Sequence, residues 1–178
     1  MNFKLWRFLC SIFAILTIFS SFINAKLLFT RITSQNDIEN LLISIKNICS
    51  EDVQKRNSLV FSNDYMYSCS CHPGSTFIHK CTDDDAVVGM FIVDKWSYEG
   101  DLRLSELLVR KNKYGNIDKV MTRKILDKIK SEILPETKTS KLVPETAVYK
   151  CYEFYFNPQV ENNNKNKTRS NSMPKSKK

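Results

Sequence analysis

The sequence predicts an α+β fold in which a mixed, mostly antiparallel central sheet is flanked by helices. Three observations predict it. Residues 86–96, AVVGMFIVDKW, form the most apolar strand beyond the first 25 residues, and residues 102–110 follow it across a polar turn. Ile38, Leu41, Leu42, Ile45, Ile48 and Cys49 recur at helical spacing, as do Ile117, Val120, Met121, Ile125, Ile129 and Ile133. The resulting order, β–α–(α)–β–β–β–β–α–β–α, sets helices against a sheet rather than strands against strands.

The elements follow in order. Residues 27–32, LLFTRI, suit a first strand. Ser34 and Asp37 stand as in a capping box and open a helix over 36–49. Residues 50–62 carry no clear period and admit a short helix. Residues 64–71 and 75–81 read as strands flanking His72-Pro73-Gly74-Ser75, because proline presets φ and glycine accepts a positive φ in a type II turn. Asp83-Asp84-Asp85 and Tyr98-Glu99-Gly100-Asp101 are turns around the 86–96 strand. In the 102–110 strand Leu102 and Leu104 point to one face and Leu107 and Val109 to the other. Either a β-bulge restores the phase, or the strand is buried on both sides near its end. The helix over 117–134 ends before Pro135, residues 139–143 suit a further strand, and 145–156 form an aromatic helix with Val148, Cys151, Tyr152 and Tyr155 on one side.

The 178 residues suffice for one domain, and 42% apolar content with four glycines and five prolines predicts a buried core. Lys4 and Arg7, the apolar run from Phe8 to Phe19 and Ile23-Asn24-Ala25 read as a signal peptide cleaved after Ala25. Three segments follow from this: a signal peptide at 1–25, a domain at 26–158 and a basic disordered tail at 159–178. The destination is secretion or a secretory lumen, with no membrane span after signal removal. Of the net charge of +8, Lys4 and Arg7 account for two, and the tail's six cations against Glu161 for five more, leaving the body near +1. Such a tail suits contact with acidic surfaces. Asn166-Lys167-Thr168 is a glycosylation sequon. Five cysteines remain after cleavage, Cys49, Cys69, Cys71, Cys81 and Cys151, and an oxidising compartment predicts disulfides among them. The spacing does not fix the pairing.

Cys69, Cys71, His79 and Cys81 raise a zinc site. A hairpin closed by His72 and Ser75 would set His79 and Cys81 on the face opposite Cys69 and Cys71, so no metal is predicted. His72 and His79 lack a triad pattern, and the aspartate run lacks the spaced ligands of a calcium loop. The stretch KNKYGNIDKV, residues 111–120, is basic and runs into a helix N-terminus, where free N–H groups and the dipole attract anions. Asp118 in the first turn caps the helix and opposes a bound phosphate.

Three stretches carry a resemblance to the GNAT superfamily of acyl-CoA-dependent N-acyltransferases. Phe29–Thr33 through Asp37-Ile38 resembles its first strand and helix start. Val87–Val93 followed by Ser105-Glu106-Leu107-Leu108-Val109-Arg110 resembles its central hairpin with a bulged fourth strand. Glu145–Val148 to Cys151-Tyr152-Glu153 resembles its last helix. The resemblance covers roughly residues 27–157 and implies acetyl-CoA as cofactor and an amine as acceptor. It implies that Leu107, Leu108 and Val109 hold the pantetheine and thioester, and that Lys113, Gly115, Asn116 and Ile117 form the phosphate turn. It places Glu106 where a base acts and Tyr152 where an acid protonates the leaving thiolate. The turn departs from the family pattern: Gly115 fits its first glycine, Asn116 follows a one-residue deletion, and Asp118 replaces its last glycine. The resemblance therefore leaves an active N-acetyltransferase and a pseudoenzyme both open. A second reading takes residues 36–110 as a disulfide-stabilised, secreted interaction module, with a cystatin-like sheet on one helix, an extracellular protein partner and no cofactor.

Overall fold

The computed structural model describes residues 27–56, 61–72, 74–95 and 100–157. The signal peptide, the sequon, the basic tail, Pro73 and the Tyr98-Glu99 half of the Tyr98–Asp101 turn lie outside these residues. The described elements are β1 (Leu28–Ile32), α1 (Gln35–Ile48), α2 (Glu51–Arg56), α3 (Asn63–Ser70), β2 (Thr76–Asp83), β3 (Ala86–Lys95), β4 (Leu102–Val109), α4 (Lys119–Lys128), a π-helical segment (Ile129–Ile133), α5 (Leu134–Thr137), β5 (Leu142–Pro144), α6 (Thr146–Cys151) and α7 (Glu153–Phe156).

The five strands lie in sequence order. β1 to β4 are antiparallel, and β5 pairs parallel to β4, with Leu102 opposite Leu142 and Leu104 opposite Pro144. The sheet is mixed and mostly antiparallel, as predicted. Both faces are covered. Leu41, Leu42 and Ile45 of α1 and Met66 of α3 pack with Ile78, Met90, Ile92 and Leu108 on one side. Met121, Ile125, Leu126 and Ile129 pack with Phe91, Val93, Leu104 and Leu107 on the other. A cystatin-like sheet wrapped on one helix does not describe this arrangement, because α4 and the parallel β5 are integral to it. Gly89 marks how closely β3, β4 and α4 approach: a Cβ there would stand 2.6 Å from the Leu108 carbonyl oxygen.

The leucine phase shift in β4 is a bulge. Ile92 pairs with Glu106 but Val93 with Leu104, so Ser105 has no partner in the register. The extra residue returns Leu107 and Val109 to the α4 face beside Leu102 and Leu104. The Asp94 carboxylate pins it, accepting from the Ser105 hydroxyl and, at 2.7 Å, from Thr76 Oγ1.

Several expectations are corrected. Residues 64–71 belong largely to α3, not to a strand, and β2 pairs with β1 and β3 instead. The alternation Tyr65, Tyr67, Cys69, Cys71 is therefore not a strand pattern; burial of Met66 against the α1 face decides the local structure. The helix after β4 continues past Pro135, which sits in the first turn of α5, where a missing N–H costs little. The predicted 145–156 helix breaks at Tyr152, whose φ of −122° and ψ of 29° separate α6 from α7. No cysteine is in a disulfide among the described residues; all five are free thiols. Cys81 is buried on the α4 face while Cys69 packs on the α1 face, so the sheet stands between them.

Candidate functional site

The bulge divides the outer edge of β4 in two. Before it, β5 satisfies the edge: Leu102 N–H donates to the Lys141 carbonyl at 2.9 Å, and Glu145 N–H donates to the Leu104 carbonyl at 2.9 Å. Beyond it β5 has ended, and the carbonyls of Leu107 and Val109 face outward on the same edge, because a strand's polar groups alternate sides. The chain itself answers both. The Tyr152 hydroxyl donates to the Leu107 carbonyl at 2.8 Å, and the Cys49 thiol donates to the Val109 carbonyl at 3.4 Å. Lys111 N–H then ties the end of the strand to the Ile48 carbonyl at 2.7 Å. The C-terminus of α1 and the α6–α7 break thus meet over the edge that the resemblance assigned to a pantetheine arm.

Tyr152 is fully buried. Burial, with smaller contributions from the nearby Cys49 and Cys151 thiols, raises its hydroxyl well above the usual tyrosine range. It is a neutral donor to a backbone carbonyl. Burial likewise pushes the Cys49 thiol up to about 12, so it stays protonated and donating.

The 111–117 turn is a small closed hairpin. Lys111 bridges Ile117, and Asn112 N–H donates to the Asn116 carbonyl at 2.7 Å. The Asn112 side-chain oxygen accepts from the Tyr114 and Asn116 amides at 2.9 and 3.2 Å, and Gly115 N–H donates to the Asn112 carbonyl at 3.0 Å. Gly115 takes a φ of 81°, which a residue with a Cβ adopts at a cost. Asp118 is the N-cap of α4: its carboxylate accepts from Met121 N–H at 3.0 Å and pairs with Arg110 Nε at 3.2 Å. Replacing Asp118 with alanine is expected to destabilise the fold by about 1 kcal/mol, the usual cost of a lost N-cap, as a lower urea midpoint at unchanged slope.

These observations test the residues against acetyl-CoA, and in this arrangement they do not fit it. The turn amides of Asn112, Tyr114, Gly115 and Asn116 are bonded within the hairpin, a carboxylate stands at the helix mouth, and the Leu107 and Val109 carbonyls of the β4 edge are capped by side chains. Leu107, Leu108 and Val109 are fully buried. Gly115, Asn116 and Ile117 line a cavity of about 300 Å³ with residues of α2, α6 and α7; Lys113, Glu106 and Tyr152 do not line it.

Glu106 lies on the opposite face, beside α3. Burial pushes its carboxyl up to about 7, with repulsion from Glu145 and Asp94 adding to the rise and a hydrogen bond from Tyr65 opposing it. Its Oε2 is buried without a hydrogen-bond partner among the described residues. Tyr65 also bonds the Cys69 thiol. Glu106 belongs to a polar cluster with Tyr65, Cys69 and Asp94, and Tyr152 to the buried seam, close enough for the Glu106 charge to add to the rise of the Tyr152 hydroxyl. Sequence reasoning missed Tyr65, and weighed Cys69 only as a zinc or disulfide candidate, because it made α3 a strand. It weighed Cys49 only as a disulfide candidate and missed Asn112, because nothing local marks the role of either. A side-chain oxygen two residues before the Tyr114 amide is the one signal that would have found Asn112.

No protein-family model matches the chain, and no curated protein matches it. Solved structures do. A ribosomal-protein-alanine N-acetyltransferase from Brucella melitensis biovar Abortus 2308 is 13% identical, over 76% of this chain and 90% of that one, with a TM-score of 0.49. A transcriptional regulator from Bacillus halodurans is 11% identical, over 86% and 96%, at 0.48. A paia N-acetyltransferase from Thermoplasma acidophilum, in complex with coenzyme A, is 13% identical, over 74% and 87%, at 0.46. The chain spans between 87% and 96% of the lengths of these three solved chains. The fold is GNAT-like on its own strand order, its β4 bulge and its parallel β5.

Proposed function

We propose that this chain is a secreted or lumenal protein that keeps the GNAT scaffold but has closed its acetyl-CoA seat, and that it acts by binding rather than by acetyl transfer. The observation that carries this reading is the capped β4 edge, with Tyr152 on Leu107 and Cys49 on Val109. The internally bonded 111–117 hairpin and the Asp118 cap support it. The secretory destination rests on the apolar run from Phe8 to Phe19 and the Ile23-Asn24-Ala25 cleavage pattern. The partner is an extracellular or lumenal protein, and the basic tail adds attraction to acidic surfaces.

Glu106 favours a second reading, an active acetyl-CoA-dependent N-acetyltransferase with an amine acceptor. A carboxyl brought to about 7 is matched to general-base work at neutral pH. Transfer of labelled acetyl from acetyl-CoA to a panel of polyamines and amino-terminal peptides separates the two. The closed-seat reading predicts no transfer above the uncatalysed background. The second reading predicts transfer that rises with pH through about 7, as Glu106 loses its proton, and falls at least about a hundredfold in Glu106→Gln.

A further inference from the structure

Few groups hold α3 to the sheet. Met66 is its fully buried side chain, Tyr65 and Cys69 pack partly on the α1 face, and its N-cap Ser62 makes no side-chain cap bond. Tyr65 and Cys69 stand four residues apart and so share one face of the helix. On that face Tyr65 bonds both the Cys69 thiol and the Glu106 carboxyl of β4. The carboxyls of Asp94 on β3 and Glu145 before α6 stand nearby, and Arg103 of β4 pairs with both, at 3.5 and 2.8 Å. The Tyr152 hydroxyl is close enough to feel a charge on Glu106. The buried residues of α1 on this side, Ile38, Leu41, Leu42 and Ile45, carry no charge.

Glu106 is the weak member of this cluster. Its Oε2 is buried with no hydrogen-bond partner among the described residues. A neutral carboxyl tolerates one empty acceptor, but an ionised one is costly to keep from water unless both oxygens are answered. Ionisation also sets a further charge beside Asp94 and Glu145, which oppose it. The element that covers the carboxyl is α3.

We propose that α3 is a pH-operated flap: it stays docked while Glu106 holds its proton, and it lifts from the sheet when Glu106 ionises, uncovering Tyr65 and Cys69. The sign follows from linkage. With α3 docked, Glu106 keeps its proton up to about 7, whereas a hydrated glutamate ionises near ~4.3. The open form therefore gains on the docked form as pH rises between these values, and the gain levels off above about 7. Local opening of a helix with one buried anchor needs less than opening of the whole sheet. The result is a surface offered at neutral pH and withdrawn in acid. None of the hydrogen bonds that cap the β4 edge takes part, so the flap operates whether the acetyl-CoA seat is closed or open.

The reduced full chain is alkylated with iodoacetamide from pH 5 to pH 8, and the rates at Cys69, Cys71 and Cys81 are read by peptide mass spectrometry. Cys71 is exposed and reports the intrinsic thiol rate at each pH, while Cys81 is buried on the α4 face and reports opening of the whole fold. The ratio of the Cys69 rate to the Cys71 rate is expected to rise at least about tenfold across this range, the gain being reduced by the part of the carboxyl that water already screens. Glu106→Gln is expected to hold the ratio flat. At pH 8 Cys81 is expected to stay at least about tenfold slower than Cys69. A flat ratio in the wild type overturns the proposal, and so does a rise that survives in Glu106→Gln. Alkylation of Cys81 as fast as Cys69 overturns it too, because Glu106 would then act on the whole fold and not on α3.

Discussion

Replacing Tyr152 with alanine is expected to destabilise the protein by about 4 kcal/mol, among the largest effects of any single change in this fold. Two separable causes produce it. The ring fills the seam between β4, α1 and α6 and is fully buried, so truncation leaves a cavity and removes the burial of a large aromatic. The hydroxyl answers the Leu107 carbonyl beyond the bulge, and its loss leaves that buried oxygen without a donor. Tyr152→Phe isolates the second cause and is expected to cost about 1–3 kcal/mol. Urea unfolding of the three proteins measures both. A phenylalanine variant as stable as the wild type would show that the hydroxyl does not cap the edge, and a mild alanine variant would show that the seam is not packed.

The second large effect is on pH. In the unfolded chain Glu106 ionises at the ordinary glutamate value, ~4.3; in the fold it does so near about 7. Below the lower value both states hold the proton and the group leaves stability untouched. Between the two values the unfolded chain has released its proton and the folded one retains it, so stability falls as pH rises and the loss is complete above about 7. Glu106→Gln is expected to flatten this part of the profile. The gain at pH 8 is on the order of 2 kcal/mol, discounted for the part of the carboxyl that water still screens. Denaturation midpoints of both proteins from pH 4 to pH 8 measure it. Parallel profiles would mean that Glu106 is solvated, and would also remove the observation that favours an active enzyme.

The phase shift in β4 was legible because β alternation is strict, and the register decides between the bulge and the two-sided burial that the sequence left open. Leu102, Leu104, Leu107 and Val109 cannot share a face without one added residue, and Ser105 is that residue. Val120 of the predicted α4 stripe is exposed and Ile117 precedes the helix, but the α1 stripe, the Met121, Ile125, Ile129 and Ile133 part of the α4 stripe and the Ser34 cap were legible for the same reason: local period and capping chemistry are written in neighbouring residues. α3 was not. Its tyrosines and cysteines alternate as in a strand and precede a proline-glycine turn, and only packing of Met66 beneath them makes the helix. The capped edge was not legible either. Cys49 lies 60 residues from Val109 and Tyr152 lies 45 from Leu107, and neither contact has a local signature.

Calorimetric titration of acetyl-CoA into the wild-type protein, with Asp118→Gly alongside, tests the closed seat most directly. The wild type is expected to give no heat beyond dilution at millimolar cofactor, because the Leu107 and Val109 carbonyls of the β4 edge and the turn amides of Asn112, Tyr114, Gly115 and Asn116 are already bonded within the chain. The glycine variant removes the carboxylate at the α4 mouth and is expected to gain at most weak binding while Tyr152 and Cys49 hold the edge. Micromolar binding by the wild type would contradict the account: the seat would be open in solution, and Tyr152 would have to leave the Leu107 carbonyl to admit the cofactor.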